Sequence, residues 1–165
     1  MKTQKLHRSE LSITNQLTPP QFRPRVVYSR EDAAGAAKGP AGAGRIMIVE
    51  DDHFIALEME SAFQDAGFDV VGVGTSAEEA IQLAADHRPQ LAVMDIRLNG
   101  VRDGIDAAID LFSLFQIRCV FATAHQTAEI RQRAEPAKPL AWVPKPYTMP
   151  SLIEVVRKAL TEQGQ

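Results

Sequence analysis

Residues 45–52 read RIMIVEDD, an apolar, partly β-branched run that ends in three acids. Such a run is typical of a buried strand in a parallel sheet, where both faces of the strand are covered. Two later stretches have the same character: QLAVMD at 90–95 and RCVFAT at 118–123. Segments with apolar residues at helical spacing lie between them. Strands that alternate with helices in this way predict a parallel sheet with crossover helices.

The whole pattern comprises five units, each a strand followed by a helix, without an internal sequence repeat. The predicted strands are 45–49, 69–73, 90–95, 118–123 and 140–145. The first helix is predicted by an apolar stripe from Ile55 to Ala66 that ends at Gly67, the second by a capping box of Ser76 and Glu79, and the third by a cap at Asp103. A short fourth helix is predicted from Thr127 to Ala134, and a fifth begins near Thr148 with Pro150 in its first turn. Right-handed crossovers place helices on both sides of the sheet, so the prediction is a doubly wound α/β fold.

Composition places the chain among soluble globular proteins. It has 165 residues, of which 45% are hydrophobic and 24% charged. No run approaches the roughly 18 apolar residues that a membrane span needs, and the first residues lack the apolar stretch of a signal peptide. We therefore expect a cytoplasmic protein. Its single cysteine, Cys119, has no partner for an internal disulfide.

The charge is divided between two parts of the chain. Residues 1–44 hold seven basic and three acidic residues, a net charge of +4, while the remainder carries −7. The first part also has few aromatics and ends in the Gly- and Ala-rich stretch 33–44, so it has little apolar surface to bury. We interpret residues 1–44 as a flexible N-terminal tail and linker, and we expect the folded domain at 45–163.

Charged and hydroxyl side chains stand at the carboxyl end of four predicted strands. The acids 50–52 follow the first strand, Asp95 ends the third, Thr123 ends the fourth and Lys145 ends the fifth. In open parallel sheets these ends meet at one edge, where ligands bind. Neighbouring carboxylates repel one another, and a divalent cation removes that repulsion. Oxygen ligands without paired Cys or His favour Mg²⁺ over zinc, and an ionised carboxylate beside Mg²⁺ and a lysine can attack a phosphoryl group.

Each of these residues also has an ordinary interpretation when taken alone. The acids 50–52 could form a solvated turn or a helix start, and Asp95 could cap a helix. Thr123 could be a plain strand residue and Lys145 a surface charge. His53 follows the acids without a second histidine nearby, so a solvated helix start is its expected role. The functional interpretation rests on finding all of them at one sheet edge.

Four segments, in order, resemble a known family. IMIVEDD (46–52), LAVMDIRLNG (91–100), VFATA (120–124) and WVPKPY (142–147) are similar to the motifs of the receiver domain of bacterial two-component response regulators. Within that family the chain resembles the stand-alone, chemotaxis-regulator-like members. The resemblance implies a flavodoxin-like five-stranded sheet with strand order 2-1-3-4-5 and five helices.

The resemblance also implies roles for the residues that match the motifs. Asp95 would be the phosphorylated residue, and Asp51 a direct ligand of Mg²⁺. Glu50 would act on the metal through water, and the backbone carbonyl of Arg97 would complete the protein ligands.

Three further positions match the family's phosphoryl-binding and switch residues. Thr123 and Lys145 would contact the phosphoryl group. Trp142 stands where the family usually has a Tyr or Phe whose rotamer responds to phosphorylation, so Thr123 and Trp142 would form the switch. Beyond the family's motifs, His125 and Arg97 could line the mouth of the site and affect how water reaches the acyl phosphate, or simply face solvent.

The implied function is that of a phosphoacceptor switch in a phosphorelay. Its phosphoryl donor would be a phosphohistidine on a sensor histidine kinase or a histidine phosphotransfer protein. The output would be docking of an unknown downstream protein, or a homodimer, through helix 4, strand 5 and helix 5. We expect no attached DNA-binding or enzymatic output domain, no membrane span and no turnover enzyme.

Two alternatives belong to other classes, and a third is a receiver that is not phosphorylated. An aspartyl-phosphate hydrolase that depends on Mg²⁺ needs a second Asp two residues after the nucleophile, where this chain has Arg97. A flavin-binding module of the same topology needs a phosphate cradle after strand one, where residues 50–52 are acidic. A receiver-like adaptor that binds partners without phosphorylation remains open.

Overall fold

The computed structural model of this chain describes residues 42–163. The flexible tail predicted for residues 1–44 lies, up to position 41, outside the described residues. The described chain alternates strands and helices in this order: β1 Arg45–Val49, α1 His53–Asp65, β2 Asp69–Gly74, α2 Ala77–His87, β3 Leu91–Met94, α3 Gly104–Phe115, β4 Arg118–Thr123, α4 Ala128–Ala134, a 3₁₀ turn Glu135–Ala137, β5 Ala141–Pro144 and α5 Met149–Gln163.

The five strands form one parallel sheet in the order β2-β1-β3-β4-β5. The flavodoxin-like, doubly wound fold is therefore confirmed, and so is its strand order. The order reverses between β1 and β3, which are neighbours in the sheet but not in the chain. This reversal is the place where open α/β sheets bind ligands, because the loops that leave the two strands diverge there.

The central strands are apolar because both of their faces are covered. Every residue of β3 is buried, as are the four residues 46–49 of β1. One face packs against α1 and α5, with Met59, Phe63, Leu152 and Val156 among its buried residues. The other face packs against α2, α3 and α4, with Ala80, Ala84, Ile105, Leu111 and Ala134 among its buried residues. The two apolar clusters hold the sheet rigid between them.

Side chains at the helix starts satisfy backbone amides that have no partner within the helix. Asp52 accepts from the amides of Phe54 and Ile55 at the start of α1. The capping box predicted for α2 forms only in part. Ser76 accepts from the Glu79 amide, but the Glu79 carboxylate turns to the amide and hydroxyl of Thr75 rather than to Ser76.

Several predicted boundaries differ from the structure by a residue or two. β3 covers 91–94 instead of 90–95, and β5 covers 141–144 instead of 140–145. The flanking residues keep single backbone hydrogen bonds to the neighbouring strand but leave the regular ladder, as the amide of Asp95 does with the carbonyl of Val49 at 2.9 Å. The sequence did not predict the 3₁₀ turn after α4, in which Pro136 stands in the first turn. Within residues 42–163, no helix is long and apolar enough to cross a membrane.

Candidate functional site

Three strand ends meet at the carboxyl edge of the sheet. Val49 pairs with Met94 in the register of β1 and β3, so the acids that follow these strands become neighbours. The amide of Glu50 donates to the carbonyl of Gly74, and the amide of Lys145 donates to that of Thr123. These bonds extend the sheet by one residue and fix the positions of the charged side chains.

The ammonium group of Lys145 lies between two carboxylates. Its Nζ donates to Oε2 of Glu50 at 2.9 Å and to Oδ2 of Asp95 at 2.7 Å. Glu50 is 1% exposed and Asp95 is 9% exposed, so both carboxylates are largely removed from water. Such buried charges require a partner of opposite sign, and Lys145 supplies it for both.

Burial and charge shift the proton affinities at this site. Burial raises the pKa of Glu50 above its usual value, and the hydrogen bond from Lys145 only partly opposes this. Burial by itself would lower the pKa of Lys145, but the hydrogen bonds to Asp95 and Glu50 outweigh it and leave the pKa raised. Lys145 therefore stays an ammonium ion at neutral pH, which is the form that attracts a phosphoryl group.

Asp95 is held by both of its carboxylate oxygens. Oδ1 accepts from the amide of Ile96 at 2.6 Å, while Oδ2 faces Lys145. Behind it, Gly104 at the start of α3 leaves no room for a side chain, because an added Cβ would overlap the carbonyl oxygen of Asp95. Gly104 thus confines the backbone of Asp95, while the Ile96 amide and Lys145 hold its carboxylate.

Glu50, Asp51 and Asp95 form an oxygen-only cluster. One carboxylate oxygen from each lies within 4.8 Å of the others. A set of carboxylate oxygens at this spacing suits a hard divalent cation such as Mg²⁺, which keeps several waters and needs few protein ligands. The residues present therefore fit the metal that the sequence predicted. The third acid of the run has a different task, since Asp52 caps α1, and the following His53 is exposed.

Thr123 lies at the end of β4 and is fully buried. Its Oγ1 accepts from the amide of His125 at 3.2 Å. The guanidinium of Arg97 approaches Nε2 of His125 at 3.2 Å. A guanidinium can only donate, so a hydrogen bond between these two side chains has Nε2 as its acceptor. The two residues predicted for the site mouth thus contact each other across the loops after β3 and β4.

Trp142 lies on β5, away from the charged cluster. It pairs with Phe121 in the register of β4 and β5, and the two rings are stacked with centroids 4.6 Å apart. Phe121 is fully buried, whereas Trp142 is half-buried. The predicted switch residues therefore occupy neighbouring strands, Thr123 at the end of β4 and Trp142 beside the middle of that strand.

The sequence reasoning missed two residues at this edge. The hydroxyl of Tyr147 is buried and has no hydrogen-bond partner among the described residues, and burial raises its pKa to about 12. The close approach of Gly104 to Asp95 was missed as well. The sequence did show a glycine directly after the predicted cap Asp103. That this glycine lies against Asp95 could be seen only in the folded chain.

Comparison with known proteins agrees with this geometry. Residues 46–157 match the family described as the response regulator receiver domain. The transcriptional regulatory protein PdtaR of Mycobacterium tuberculosis is 32% identical over 117 residues, which are 71% of this chain and 57% of that protein. The phyllosphere-induced regulator PhyR of Methylorubrum extorquens is 33% identical over 131 residues, 78% of this chain and 48% of that protein. The chain thus matches about half the length of these relatives.

A solved structure has the same architecture. The signal receiver domain of a modulated diguanylate cyclase from Desulfovibrio desulfuricans G20 superposes with a TM-score of 0.68 at 31% identity, covering 73% of this chain and 96% of that one. The receiver family consists of signalling switches rather than turnover enzymes. Because the family match spans more than half of its residues and the sheet order agrees, this chain belongs to the response regulator receiver domains.

Proposed function

We propose that this chain is a phosphoacceptor switch of a two-component or phosphorelay system, in which Asp95 accepts the phosphoryl group. One observation carries the proposal. Asp95 is nearly buried, lies 2.7 Å from the ammonium of Lys145, and shares an oxygen cluster with Glu50 and Asp51. A carboxylate placed between an ammonium ion and a cation site can approach an anionic phosphoryl group, which would otherwise repel it.

The donor is a phosphohistidine of a sensor histidine kinase or a histidine phosphotransfer protein. A carboxylate oxygen of Asp95 attacks the phosphorus and forms a P–O bond. The P–N bond breaks, its electron pair stays on the imidazole nitrogen, and that nitrogen leaves with a proton or takes one from water. Lys145 neutralises charge on the phosphoryl oxygens, and the hydroxyl of Thr123 donates to one of them.

The metal site that fits these residues is one for Mg²⁺. Asp51 and Asp95 would bind the ion directly, Glu50 through water, and Arg97 through its backbone carbonyl. When bound, Mg²⁺ supplies positive charge next to the phosphoryl oxygens. The support from this chain is the carboxylate spacing and the excess of three carboxylates over the single ammonium group of Lys145, which a bound cation would offset.

The phosphorylated chain signals by docking. An acyl phosphate of about −1.5 to −2 charge replaces the single negative charge of the Asp95 carboxylate, and it places three new acceptor oxygens farther from the backbone, which favours a conformation in which Thr123 turns toward them. The face formed by α4, β5 and α5 then binds a downstream protein or a second copy of the chain more tightly than before. Only such a difference in affinity can shift the population of the two conformations. We place this activity in the cytoplasm.

The test is transfer from a small donor with a P–N bond. Wild type is incubated with phosphoramidate and Mg²⁺, and the intact mass is measured. We expect one phosphoryl adduct in wild type and none in Asp95→Asn. The matched control is Asp52→Asn, because Asp52 is an exposed helix cap of the same acidic run and Asn caps equally well. This control should form the adduct as wild type does.

Two outcomes would contradict the proposal. An equal adduct in Asp95→Asn would move the acceptor to another residue. No adduct in wild type would favour the adaptor that binds partners without phosphorylation. The hydrolase alternative lacks support because Arg97 lies where its second Asp is needed, and continuous phosphate release over many turnovers would revive it.

A further inference from the structure

The outer face of the Trp142 indole is covered by an arginine from the neighbouring helix. The guanidinium carbon of Arg131, on α4, lies 4.8 Å from the centre of the indole. On its inner side the indole stacks on Phe121 with an angle of 27° between the rings. The only tryptophan of the chain therefore lies between a fully buried ring and an exposed cation.

The charge of Arg131 is not committed elsewhere in the described part of the chain. Within residues 42–163 it forms no salt bridge, whereas Arg133, two positions later, pairs with Asp103 and Asp106. A guanidinium without a carboxylate partner is free to stack on an aromatic face, where it is attracted to the negative charge of the ring. The contact with the indole is thus a principal contact of this side chain.

Arg131 also reaches the loop that follows Thr123. Its Nη2 donates to Oε1 of Gln126 at 2.8 Å, and the Gln126 amide nitrogen approaches the carbonyl oxygen of Thr123 at 3.5 Å. The end of β4 and the ring on β5 are therefore connected through one side chain of α4.

The helix that carries Arg131 has little apolar anchoring. Among the seven residues of α4 only Ala134 is fully buried, and Ile130 packs partly against the core. A helix held by so few apolar contacts takes its position largely from polar contacts at its sides. Those of Arg131 and Arg133 are the ones that join α4 to β5 and to α3.

We propose that Arg131 is a positioning residue for the switch, and this inference rests on the proposed function. In the unphosphorylated chain its guanidinium holds the indole of Trp142 stacked on Phe121, and Gln126 ties the same guanidinium to the Thr123 loop. When Thr123 turns toward a phosphoryl group, the loop moves with it and the contact between Gln126 and Arg131 loosens. Arg131 thereby stabilises the unphosphorylated conformation. Movement of the Thr123 loop changes the position of Arg131 and, through it, the packing of Trp142.

The experiment uses the fluorescence of the single tryptophan in the full chain. Emission and acrylamide quenching are measured for wild type, Arg131→Ala and Arg131→Lys, before and after phosphorylation by phosphoramidate with Mg²⁺. The control is Gln132→Ala, because Gln132 is the exposed neighbour on the same helix. Adduct formation is followed by intact mass in every sample.

Loss of the Arg131 guanidinium should change both the quenching of Trp142 and the rate of phosphorylation at Asp95. A contact of this kind at a surface is equivalent to about a two- to five-fold change in population. We expect Arg131→Ala to increase quenching of the unphosphorylated chain, to accelerate adduct formation about two- to five-fold, and to reduce the emission change on phosphorylation. Arg131→Lys, which keeps the cation, should lie between Ala and wild type, and Gln132→Ala should match wild type.

The rate separates positioning from mere covering of the ring, because a side chain that only shields the indole would not alter reaction at Asp95. An adduct formed by Arg131→Ala at the wild-type rate or more slowly, or with an unchanged emission shift, would overturn this inference alone. Absence of any adduct in wild type would instead contradict the proposed function, and with it the proposed role of Arg131 in the switch.

Discussion

At Asp95, two buried carboxylates share one ammonium ion. Glu50 and Asp95 both accept from Lys145, and Asp51 adds a third carboxylate within 4.8 Å of the others. The site therefore carries an excess of negative charge, which disfavours the folded state unless a cation neutralises it. The same excess would favour the binding of a divalent cation over that of an anion.

Tyr147, next to this cluster, is a residue whose polar atom does not contribute to stability. Its hydroxyl is buried without a partner among the described residues, which is unfavourable, while its ring packs against the core on the α5 side. We predict that Tyr147→Phe leaves the free energy of unfolding unchanged or raises it by about 1 kcal/mol. Urea unfolding measures this difference. A loss of stability of about 1 kcal/mol or more would mean that the hydroxyl has a partner in solution.

At the scale of elements, the start of α3 has a special position. Asp103 caps the helix and also binds the guanidinium of Arg133 through both oxygens, at 2.6 and 2.9 Å. The next residue, Gly104, lies against the backbone of Asp95, and its amide donates to the carbonyl of Ile96. The N-terminus of α3 thus joins the end of β3 on one side to α4 on the other.

The contact at Gly104 predicts a large effect of a small substitution. In Gly104→Ala the new Cβ would overlap the Asp95 carbonyl, so the helix start or the strand end must move. We expect a loss of about 2 kcal/mol or more in the free energy of unfolding and slower phosphorylation. The control is Gly74→Ala, where an added Cβ has its nearest neighbours at 3.4 Å, and here the change should stay within about 1 kcal/mol. Equal effects of the two substitutions would argue against the overlap.

The ion pair between Asp103 and Arg133 predicts a pH dependence. Burial by itself would raise the pKa of Asp103, but the hydrogen bonds from Arg133 and from the first amides of α3 outweigh it and hold that pKa below its usual value. A carboxyl whose pKa is lower in the folded state stabilises the fold above its unfolded pKa of about 3.9. This stabilisation is lost as the pH falls through the folded pKa.

We predict that Asp103→Asn, which keeps the cap but not the charge, lowers the free energy of unfolding at pH 7 by about 1 kcal/mol. The difference from wild type should shrink as the pH falls below about 5, because the unfolded carboxyl is protonated first, and it should vanish only below the lowered folded pKa. Urea unfolding across this range measures it. Arg133→Met should flatten the profile in the same way, and a difference that stays constant with pH would rule out the charge as its cause.

At the scale of the whole molecule, one sheet lies between two apolar clusters. Phe63 and Leu152 represent the cluster on the α1 and α5 side, and Ile105 and Leu111 the one on the α3 side. Both clusters contact the same strands, so local changes at the strand ends are opposed by packing on both faces. At the acidic edge, packing alone does not balance the forces, because the carboxylates repel one another and a bound cation would reduce that repulsion.

Mg²⁺ should therefore stabilise the folded chain as a whole. A ligand that binds only the folded state adds about 2.7 kcal/mol at a hundred times its dissociation constant. For a domain of this size that gain corresponds to a rise of the thermal midpoint by about 10 °C. We expect this rise with MgCl₂, its reversal by EDTA, and most of it lost in Asp51→Asn. Asp52→Asn should respond as wild type does, and NaCl at equal ionic strength separates binding from screening. An equal rise in Asp51→Asn would remove Asp51 from the metal site.

Local patterns were sufficient for the fold and for the members of the site. Apolar runs and helical stripes predicted all five strands and five helices, because a buried strand and an amphipathic helix differ in the period of their apolar residues. Strand ends of a parallel sheet share one edge, so Glu50, Asp95 and Lys145 could be expected together. Strand boundaries were less well predicted, since the last backbone hydrogen bond depends on the neighbouring strand.

Contacts between distant segments were decided only by the tertiary structure. The capping interaction of Glu79 shifted to Thr75, and Arg131 and Arg133 proved to have separate partners in Trp142 and Asp103. Nothing in the local sequence distinguishes an arginine that stacks on a ring from one that faces solvent. The amino-acid sequence by itself determined which residues form strands and helices and which chemical groups end them, because those preferences act over a few neighbouring positions. Which side chains meet across the sheet depended on the packing of the whole chain.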